Sequence, residues 1–288
     1  MRWVRQLPDI SIRQLEYLVA VADSPTWAVA AAEVGVSPSA LSQGLAELER
    51  RVGVDLFRSE GRRRVVREAA SPVLDHARQV VSLTGDLQAW SERVRGASVG
   101  SVRVGMIDVA ALVHFPDVLA KFRSDRPHVD LHLTVAPSRG LLDALRIGDL
   151  DVVVCVEPSN FPIGLDATPV LDEPLVVYAP RGVSIDAPER WGPWVLFPAD
   201  SHTRTQIEAA LRACSAPVVL AAESHQPDVL RHMVGLGLGW TVLPEVQGPG
   251  SRIAVAGPEL LTRRIVLVRR EAAVTDPAAD ELVARLLA

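Results

Sequence analysis

Apolar residues recur at helical spacing in three short segments near the start of the chain. The first follows Ser11, a capping residue, and its apolar positions are Ile12, Leu15, Leu18, Val19 and Ala22. The second runs from residue 26 to 34 and ends at Gly35, which adopts a left-handed conformation without steric cost. The third begins at Ser37 with Pro38 at its first helical position. Its apolar face is formed by Leu41, Leu45, Leu48 and Val52.

The second and third predicted helices, joined by the glycine turn, form the pattern of a helix-turn-helix. In that motif the later helix can enter the major groove of DNA. An ordinary helical hairpin gives the same pattern, so the flanking segments are needed to distinguish the two. Residues 54–67 read as two short strands that turn at Gly61, with arginines at the tip. Three helices followed by a basic hairpin are typical of a winged helix-turn-helix.

A single long helix is predicted from Glu68 to Arg95, with Pro72 tolerated in its first turns. Spacings of four and three alternate along it, as in a heptad seam, at Val73, Ala77, Val80, Thr84, Leu87, Ser91 and Val94. Such a helix can pair with the same helix of a second chain, or it can pack on its own domain. The small residues at 96–101 then predict a hinge.

Beyond residue 101 the pattern changes to strands that alternate with helices. This alternation calls for a parallel sheet covered by helices on both faces. The predicted strands are 102–107, 129–135, 151–156, 194–197 and 218–221. The predicted helices are 109–123, 140–147, 203–213 and 227–235.

Charge is distributed unevenly along the chain. The formal net charge is −5, so the protein is not basic overall. Residues 50–67 nevertheless carry a run of arginines: Arg50, Arg51, Arg58, Arg62, Arg63, Arg64 and Arg67. A local basic patch suffices for binding nucleic acid, because phosphate contacts are short-ranged at physiological salt. The alternative is a solvated, charged turn.

Patterns for export, disulfides and catalysis are missing from the sequence. Cys155 and Cys214 form no CxxC pair, and no signal peptide or run of eighteen uncharged apolar residues occurs. The seven histidines form no HExxH spacing, and no Gly-x-Ser-x-Gly or Walker A loop is present. We therefore expect a soluble cytoplasmic protein, not an enzyme, with no membrane association, no catalytic residues, no metal site and no cofactor.

Residues near the start of the chain resemble the amino-terminal domain of LysR-type transcriptional regulators. The resemblance rests on Arg13-Gln-Leu-Glu-Tyr-Leu-Val-Ala-Val-Ala22, on Ala-Ala-x-x-x-Val-Ser-x-Ser-Ala-Leu-Ser at 31–42, and on Val52-Gly-Val-Asp-Leu-Phe-Arg58. The chain departs from the family at Pro38, where a polar residue is usual. It departs again at Gln43 and Gly44, where the family carries Arg and another polar group. Gly44 therefore marks either a close approach to DNA or a tolerated weakness in the helix.

The second half of the chain is similar to the LysR effector domain. The matching segments are Leu141-Leu-x-x-Leu-x-x-Gly-x-Leu-Asp-Val-Val153 and Gly237-Leu-Gly-Trp-Thr-Val-Leu-Pro244. That domain looks like the type 2 periplasmic binding proteins, in which two α/β lobes face a cleft and the chain crosses twice between them. By this resemblance residues 168–177 cross into the second lobe, and 264–268 with a helix around 280–287 return to the first.

The resemblance implies an α/β fold class with an all-α amino-terminal part. A winged helix-turn-helix DNA-binding domain (1–67) is followed by a long linker and dimerisation helix (68–96). A two-lobed effector domain resembling type 2 periplasmic binding proteins comes last (101–288). Its lobe I spans about 101–167 and 256–288, and its lobe II about 168–255. The implied partners are promoter DNA, a small-molecule effector, a second copy in a homodimer or homotetramer, and RNA polymerase.

Two sets of site residues follow from these motifs. The DNA-binding candidates, which read base edges or bind phosphates, are Ser37, Pro38, Ser39, Ser42, Gln43, Arg50, Arg62, Arg63 and Arg64. The effector candidates, matched to strand ends and helix starts, are Ile107, Asp108, Val109, Ser138, Arg139, Asp200, Ser201, His202 and Thr203. Helix capping alone explains Asp108, Ser138 and Ser201 equally well.

Three other functions remain open from the sequence. A regulator without an effector could respond to partner proteins or to redox change at Cys155 or Cys214. A solute-binding protein with a helical appendage should carry a secretion signal. An enzyme in the second domain should keep its turnover without residues 1–96.

Overall fold

The computed structural model describes residues 9–60, 63–94, 100–248, 254–271, 273–274 and 276–288. Within these ranges the side chains of 59, 63, 64, 89 and 92–94 are not described. The chain forms two compact units, one before and one after residues 95–99, with 146–148 grouped with the first. Each unit is described by itself.

The first unit contains the three predicted helices and the predicted hairpin. Its elements are α1 (Ile12–Asp23), α2 (Trp27–Glu33), α3 (Pro38–Val52), β1 (Phe57–Glu60), β2 (Arg63–Val66) and α4 (Ser71–Val94). A hydroxyl group caps each of the first three helices by accepting a hydrogen bond from a backbone N–H group. The three capping residues are Ser11, Thr26 and Ser37. The turn predicted at Gly61 and most of the hinge predicted at 96–101 lie outside the described residues.

The core of the first unit forms where α1, α2 and α3 cross. Leu18, Leu41 and Leu48 are fully buried there together with Ala30 and Ala31, whose small side chains leave room for the neighbouring helices. The ring of Trp27 packs edge-on against Phe57 at a centroid distance of 5.1 Å, which joins α2 to the hairpin.

Gly44 lies where α3 meets α1. A Cβ at this position would lie 2.8 Å from two ring carbons of Tyr17, which is shorter than real Cβ contacts allow. The amide of Gln14 also donates a hydrogen bond to the Gly44 carbonyl at 3.4 Å. The glycine therefore allows a tyrosine ring to pack on the helix. Neither explanation offered by the sequence, an approach to DNA or a tolerated weakness, accounts for this contact.

The long helix α4 packs on its own unit along its first half. The predicted start at Glu68 is wrong by three residues, because Glu68–Ala70 form a 3₁₀ turn and the α-helix begins at Ser71, one residue before Pro72. Ala77 is fully buried against the core. Further along the helix, Leu87 and Trp90 are exposed. The interpretation of α4 as a helix packed on its own domain thus describes its first half only.

The second unit begins with three parallel strands and two helices that pack on them. Strands β3 (Ser101–Met106), β4 (Asp130–Val135) and β5 (Val152–Val156) lie in the order β4-β3-β5. Helices α5 (Pro116–Asp125) and α6 (Ser138–Ile147) lie between them in sequence. The helical segment predicted over 109–123 is present, but it is interrupted. A π-helical turn at Ala110–His114 precedes Pro116, which starts a new helix because it has no N–H to continue the earlier one.

Two long antiparallel strands, β6 (Leu165–Pro180) and β10 (Ala254–Arg270), connect the two lobes of this unit. With β9 (Thr241–Pro244) they extend the sheet to the order β4-β3-β5-β10-β6-β9. Strand β10 runs antiparallel to β5, so in this sheet the expected parallel pairing is found among β3, β4 and β5 and ends at β10. The strands near residues 194 and 220 also pair in parallel, in a separate sheet. The two hydrophobic cores divide near 172–174 and 262–264. The first division lies within the crossing predicted at 168–177, and the second adjoins the return predicted at 264–268. Both lie a few residues beyond the approximate lobe bounds of 168 and 256.

The second lobe has its own core around Trp191, Trp194 and Trp240, whose ring centroids lie 6.0 to 6.4 Å apart. Its remaining elements are β7 (Trp194–Leu196), α7 (His202–Ala213), β8 (Leu220–Glu223) and α8 (Pro227–Gly235). Helix α9 (Pro277–Leu286) returns to the core of the first lobe. In the described parts of the chain, none of the helices has the length and apolar content needed to span a membrane.

Candidate functional site

The predicted base-reading residues lie on the solvent-facing side of α3. Ser37, Pro38, Ser39 and Gln43 are exposed, and Ser42 is half-buried. The leucines of the same helix face the core on its opposite side. The first turns of α3 thus present hydroxyl and amide groups, which can both donate and accept hydrogen bonds at base edges.

Two arginines near the end of α3 share one carboxylate. Arg50 donates from Nε and Nη2 to Glu47 at 2.7 and 2.5 Å, and Arg51 donates from Nε to the same carboxylate. These hydrogen bonds, the one from Arg50 first, lower the pKa of Glu47 to about 2. Arg50, a predicted DNA contact, therefore lies beside a permanent negative charge. Glu47 was not identified from the sequence, although it lies three and four residues before the arginines, which is the spacing of ion pairs along a helix.

Replacing Glu47 with Gln is expected to strengthen binding to any DNA duplex. The substitution removes the negative charge beside Arg50, so the guanidinium can neutralise a phosphate. The slope of log K against log salt should steepen by about one unit. Fluorescence anisotropy with a random-sequence duplex over a salt series measures this slope.

Glu281→Gln in α9 is the matched control, because Glu281 also accepts from two arginines, Arg126 and Arg285. We expect this control to leave the slope unchanged. An unchanged slope in the Glu47 variant would show that Arg50 does not approach DNA.

The predicted wing arginines are only partly described. Arg62 lies outside the described residues. Arg63 and Arg64 are on strand β2, paired in register with Glu60 and Ser59, and their side chains are not described.

A cavity of about 580 Å³ lies in the second unit, where the two lobes face each other. The predicted effector residues that line it are Ile107, Asp108, Ser138, Arg139, Asp200, Ser201, His202 and Thr203. Val109 does not line it, because its side chain is fully buried in the core of the first lobe. Among the lining residues that the sequence did not identify are Phe197, His225, Gln247 and Arg263.

Helices α6, α7 and α8 all begin at the wall of this cavity. Neither Ser201, before α7, nor Gln226, before α8, caps its helix with a side-chain hydrogen bond. Ser138 Oγ accepts from the Val156 amide at 3.3 Å, and Asp108 accepts from Gln247 at 3.1 Å. Capping therefore does not account for Ser201. The uncapped starts of α7 and α8 offer N–H donors to the cavity.

A buried hydrogen-bond network lies behind the cavity, at the division between the lobes. Arg263 on β10 donates from Nε to Glu173 Oε2 at 2.7 Å and from Nη1 to Thr203 Oγ1 at 2.8 Å. His114 Nε2 lies 2.6 Å from Glu173 Oε1, so the carboxylate is held on both oxygens. Glu173 and Arg263 face each other in the β6–β10 ladder. The network links both lobe-connecting strands to the start of α7.

His202 lies in the cavity wall. Burial lowers its pKa, and the nearby positive charge of Arg139 lowers it further, while the Val156 backbone and Asp200 act in the opposite direction. The Nδ1 atom of His202 is buried and has no hydrogen-bond partner among the described residues. The same is true of Oε1 of Gln247. Both residues line the cavity.

The described residues contain no cluster of His, Cys, Asp and Glu side chains that could hold a metal ion. Cys155 is fully buried, and burial raises the pKa of its thiol to about 12. Cys214 follows α7 and packs against the second core. Neither cysteine is among the residues that line the cavity.

Two family models match the chain in succession. Residues 12–70 match the bacterial regulatory helix-turn-helix protein, lysR family, and residues 95–288 match the LysR substrate binding domain. The second match covers more than half of the chain.

Curated relatives and solved structures match over nearly the whole length. The uncharacterized HTH-type transcriptional regulator YfeR of Shigella flexneri is 27% identical over 287 residues, which cover 95% of this chain and 92% of the relative. A probable hydrogen peroxide-inducible genes activator of Streptomyces viridosporus is 28% identical over 305 residues, with 99% and 96% covered. A full-length OxyR variant from Pseudomonas aeruginosa superposes with a TM-score of 0.68 at 22% identity, covering 96% of this chain and 94% of its own.

Proposed function

This chain belongs to the LysR family of DNA-binding transcription regulators, and we propose that a small-molecule effector in the cavity of its second unit controls its binding to promoter DNA. The observation that carries the proposal is the cavity itself. Its volume of about 580 Å³ falls within the range of roughly 300–1,000 Å³ for small-molecule sites. Polar groups from both lobes converge on it, so an occupant would contact both.

DNA recognition follows from the exposed face of α3. Ser39, Ser42 and Gln43 read base edges in the major groove, while Arg62, Arg63 and Arg64 fix the register on phosphates. One such helix covers few base pairs, so two copies in a homodimer or homotetramer multiply specificity. The exposed Leu87 and Trp90 on α4 provide an apolar surface for pairing with a second copy. RNA polymerase is then a partner at the promoter, in the cytoplasm.

The effector acts by preferring one arrangement of the two lobes. A ligand shifts a conformational equilibrium only by its difference in affinity for the two states. A molecule that contacts residues of both lobes, such as Asp108 and His202, gains contacts when the lobes close. Strands β6 and β10 connect the lobes, so closure changes the geometry of this pair. The altered arrangement of subunits then changes the bending of bound DNA.

A thermal-shift screen of the full-length chain tests this proposal. The panel comprises amino acids, amines, carboxylates and sugars, and at least one compound should raise the melting temperature. Ser201→Trp should abolish the shift, because the indole fills the cavity while no capping bond is lost. If no compound shifts the wild type, or if the shift survives in Ser201→Trp, the proposal fails.

A redox-responsive regulator is the second candidate, because one relative is named as peroxide-inducible and one structural neighbour is an OxyR. The thiolate is the form that reacts with peroxide. Cys155 is buried, and its raised pKa disfavours the thiolate. Cys155 and Cys214 also pack with different cores, which argues against a disulfide between them. The cavity therefore carries the proposal, and the thiols do not.

Hydrogen peroxide is expected to leave DNA affinity unchanged. Binding isotherms on one promoter duplex, taken before and after peroxide treatment, make the comparison for the wild type and for Cys155→Ser and Cys214→Ser. All three proteins should behave alike. A peroxide effect that disappears in either serine variant would favour the redox candidate instead.

A further inference from the structure

Two of the five Asp and Arg charges that line the effector cavity are paired in ion pairs within the protein. Arg263 forms a buried ion pair with Glu173, at 2.6 Å between Nη2 and Oε2. Asp228 forms an ion pair with Arg231, one turn along α8. The cavity-lining Asp and Arg charges outside these two pairs are Asp108, Arg139 and Asp200, whose Oδ1 lies 4.0 Å from Nε2 of His225. An anionic ligand would thus meet two carboxylates and one guanidinium, whereas a cation would reduce an excess of negative charge.

The cavity wall also contains more acceptors than the protein satisfies. Gln247 donates its amide N–H to Asp108 Oδ2 at 3.1 Å, which fixes the amide so that its own oxygen is an acceptor. That oxygen is buried and has no hydrogen-bond partner among the described residues. The Nδ1 atom of His202 is also buried and has no hydrogen-bond partner among the described residues. Leaving a buried polar atom unpaired is unfavourable, so a ligand that hydrogen-bonds to these atoms gains affinity.

The hydrogen-bond donors in the cavity restrict the chemistry of the ligand less than the acceptors do. The uncapped starts of α7 and α8 can be satisfied by any oxygen acceptor, including a neutral carbonyl or hydroxyl. The carboxylate of Asp108 differs, because only a positively charged donor offsets its charge. Ligand chemistry is therefore set by the acceptor side of the cavity.

Resting on the proposed effector function, we propose that the ligand carries a protonated nitrogen that binds at Asp108 and Gln247. The ligand class is an organic ammonium compound, either an amine or an amino acid. The ammonium donates to the free oxygen of Asp108 and to Oε1 of Gln247. These two side chains come from different lobes and already meet through one hydrogen bond. An ammonium ion at this point would hold the lobes together.

A matched panel tests the ligand class on the full-length chain. Isobutyl, phenyl, indolyl and linear aliphatic skeletons are each supplied as an amine, an amino acid, a carboxylate and an alcohol. We expect stabilising compounds to come from the ammonium-bearing members, as measured by thermal shift and then by calorimetric titration. Asp108→Asn should weaken binding of the best compound about tenfold or more, since a charge-assisted hydrogen bond is lost. Asp172→Asn is the matched control and should leave binding unchanged, because Asp172 does not line the cavity and pairs with Arg264.

The outcomes separate this inference from the proposed function. If a carboxylate or alcohol binds more tightly than its ammonium counterpart and Ser201→Trp abolishes that binding, the ammonium class is wrong and the effector cavity stands. The same conclusion follows if Asp108→Asn and Asp172→Asn have equal effects on binding. If no ammonium compound binds, the inference also fails. Binding that persists in Ser201→Trp contradicts both proposals, since the ligand then lies elsewhere.

Discussion

Replacing Glu173 with Gln is expected to lower the free energy of unfolding of the second unit by about 3–5 kcal/mol. The substitution keeps the shape of the side chain and removes its charge. Arg263, which is 5% exposed, then carries a buried positive charge without a counter-ion. Thermal and urea denaturation of the full-length chain measure the loss, because the second unit gives its own unfolding transition if the two units unfold separately.

The neighbouring rung of the same ladder supplies a matched control. Asp172 and Arg264 also pair across β6 and β10, at 3.1 Å, but their side chains are 61% and 48% exposed. Asp172→Asn should therefore cost at most about 1 kcal/mol. Equal losses from the two substitutions would show that burial does not distinguish the pairs.

A double variant separates charge burial from packing. Glu173→Leu with Arg263→Met replaces the buried pair by apolar side chains, and it should be more stable than Glu173→Gln alone. If the double variant is the less stable of the two, the ion pair and its hydrogen bonds stabilise the fold more than apolar packing at the same positions does.

Replacing Arg62, Arg63 and Arg64 together with Ala is expected to weaken binding to every DNA sequence. Each guanidinium that neutralises a phosphate releases a counterion, so three lost contacts should reduce the slope of log K against log salt by about three units. Specific and random duplexes should lose affinity in parallel, because phosphate contacts carry no sequence information. Anisotropy titrations on both duplexes over a salt series give the two slopes.

A second triple variant controls for net charge. Arg123, Arg181 and Arg190 are exposed residues of the second unit, and their replacement by Ala removes the same charge elsewhere. We expect the salt slope to stay at the wild-type value in this variant. A wing variant with an unchanged slope would refute the phosphate role of the hairpin.

The amino-terminal helices could be predicted because their signals are local. Capping hydroxyls, glycine turns and apolar spacing all act within one or two helical turns, so Ser11, Thr26 and Ser37 indicated the starts of α1, α2 and α3. The structure confirms these starts. The break at Pro116 was missed because the apolar pattern continues through it, although proline is itself a signal for a new helix.

The interior of the effector cavity could be predicted only in part. Residues after strands and at helix starts were identifiable, because those positions meet at one side of an α/β lobe. Glu173 and Arg263 were missed, since their contact joins residues 90 positions apart and depends on the register of two long strands. Gln247 reaches Asp108 from 139 positions away. Val109 was placed in the site wrongly because sequence adjacency to Asp108 does not reveal that its side chain faces the core.

The most direct test of the account is a footprint of the full-length chain on the DNA upstream of its own coding region. If two copies of the chain bind DNA together, the footprint should show two protected half-sites. Their separation should be a multiple of about one helical turn, roughly 10 base pairs. Ser39→Ala with Gln43→Ala should remove that protection while binding to random DNA persists. A protein that remains monomeric and protects no duplex, even at low ionic strength, would contradict the account.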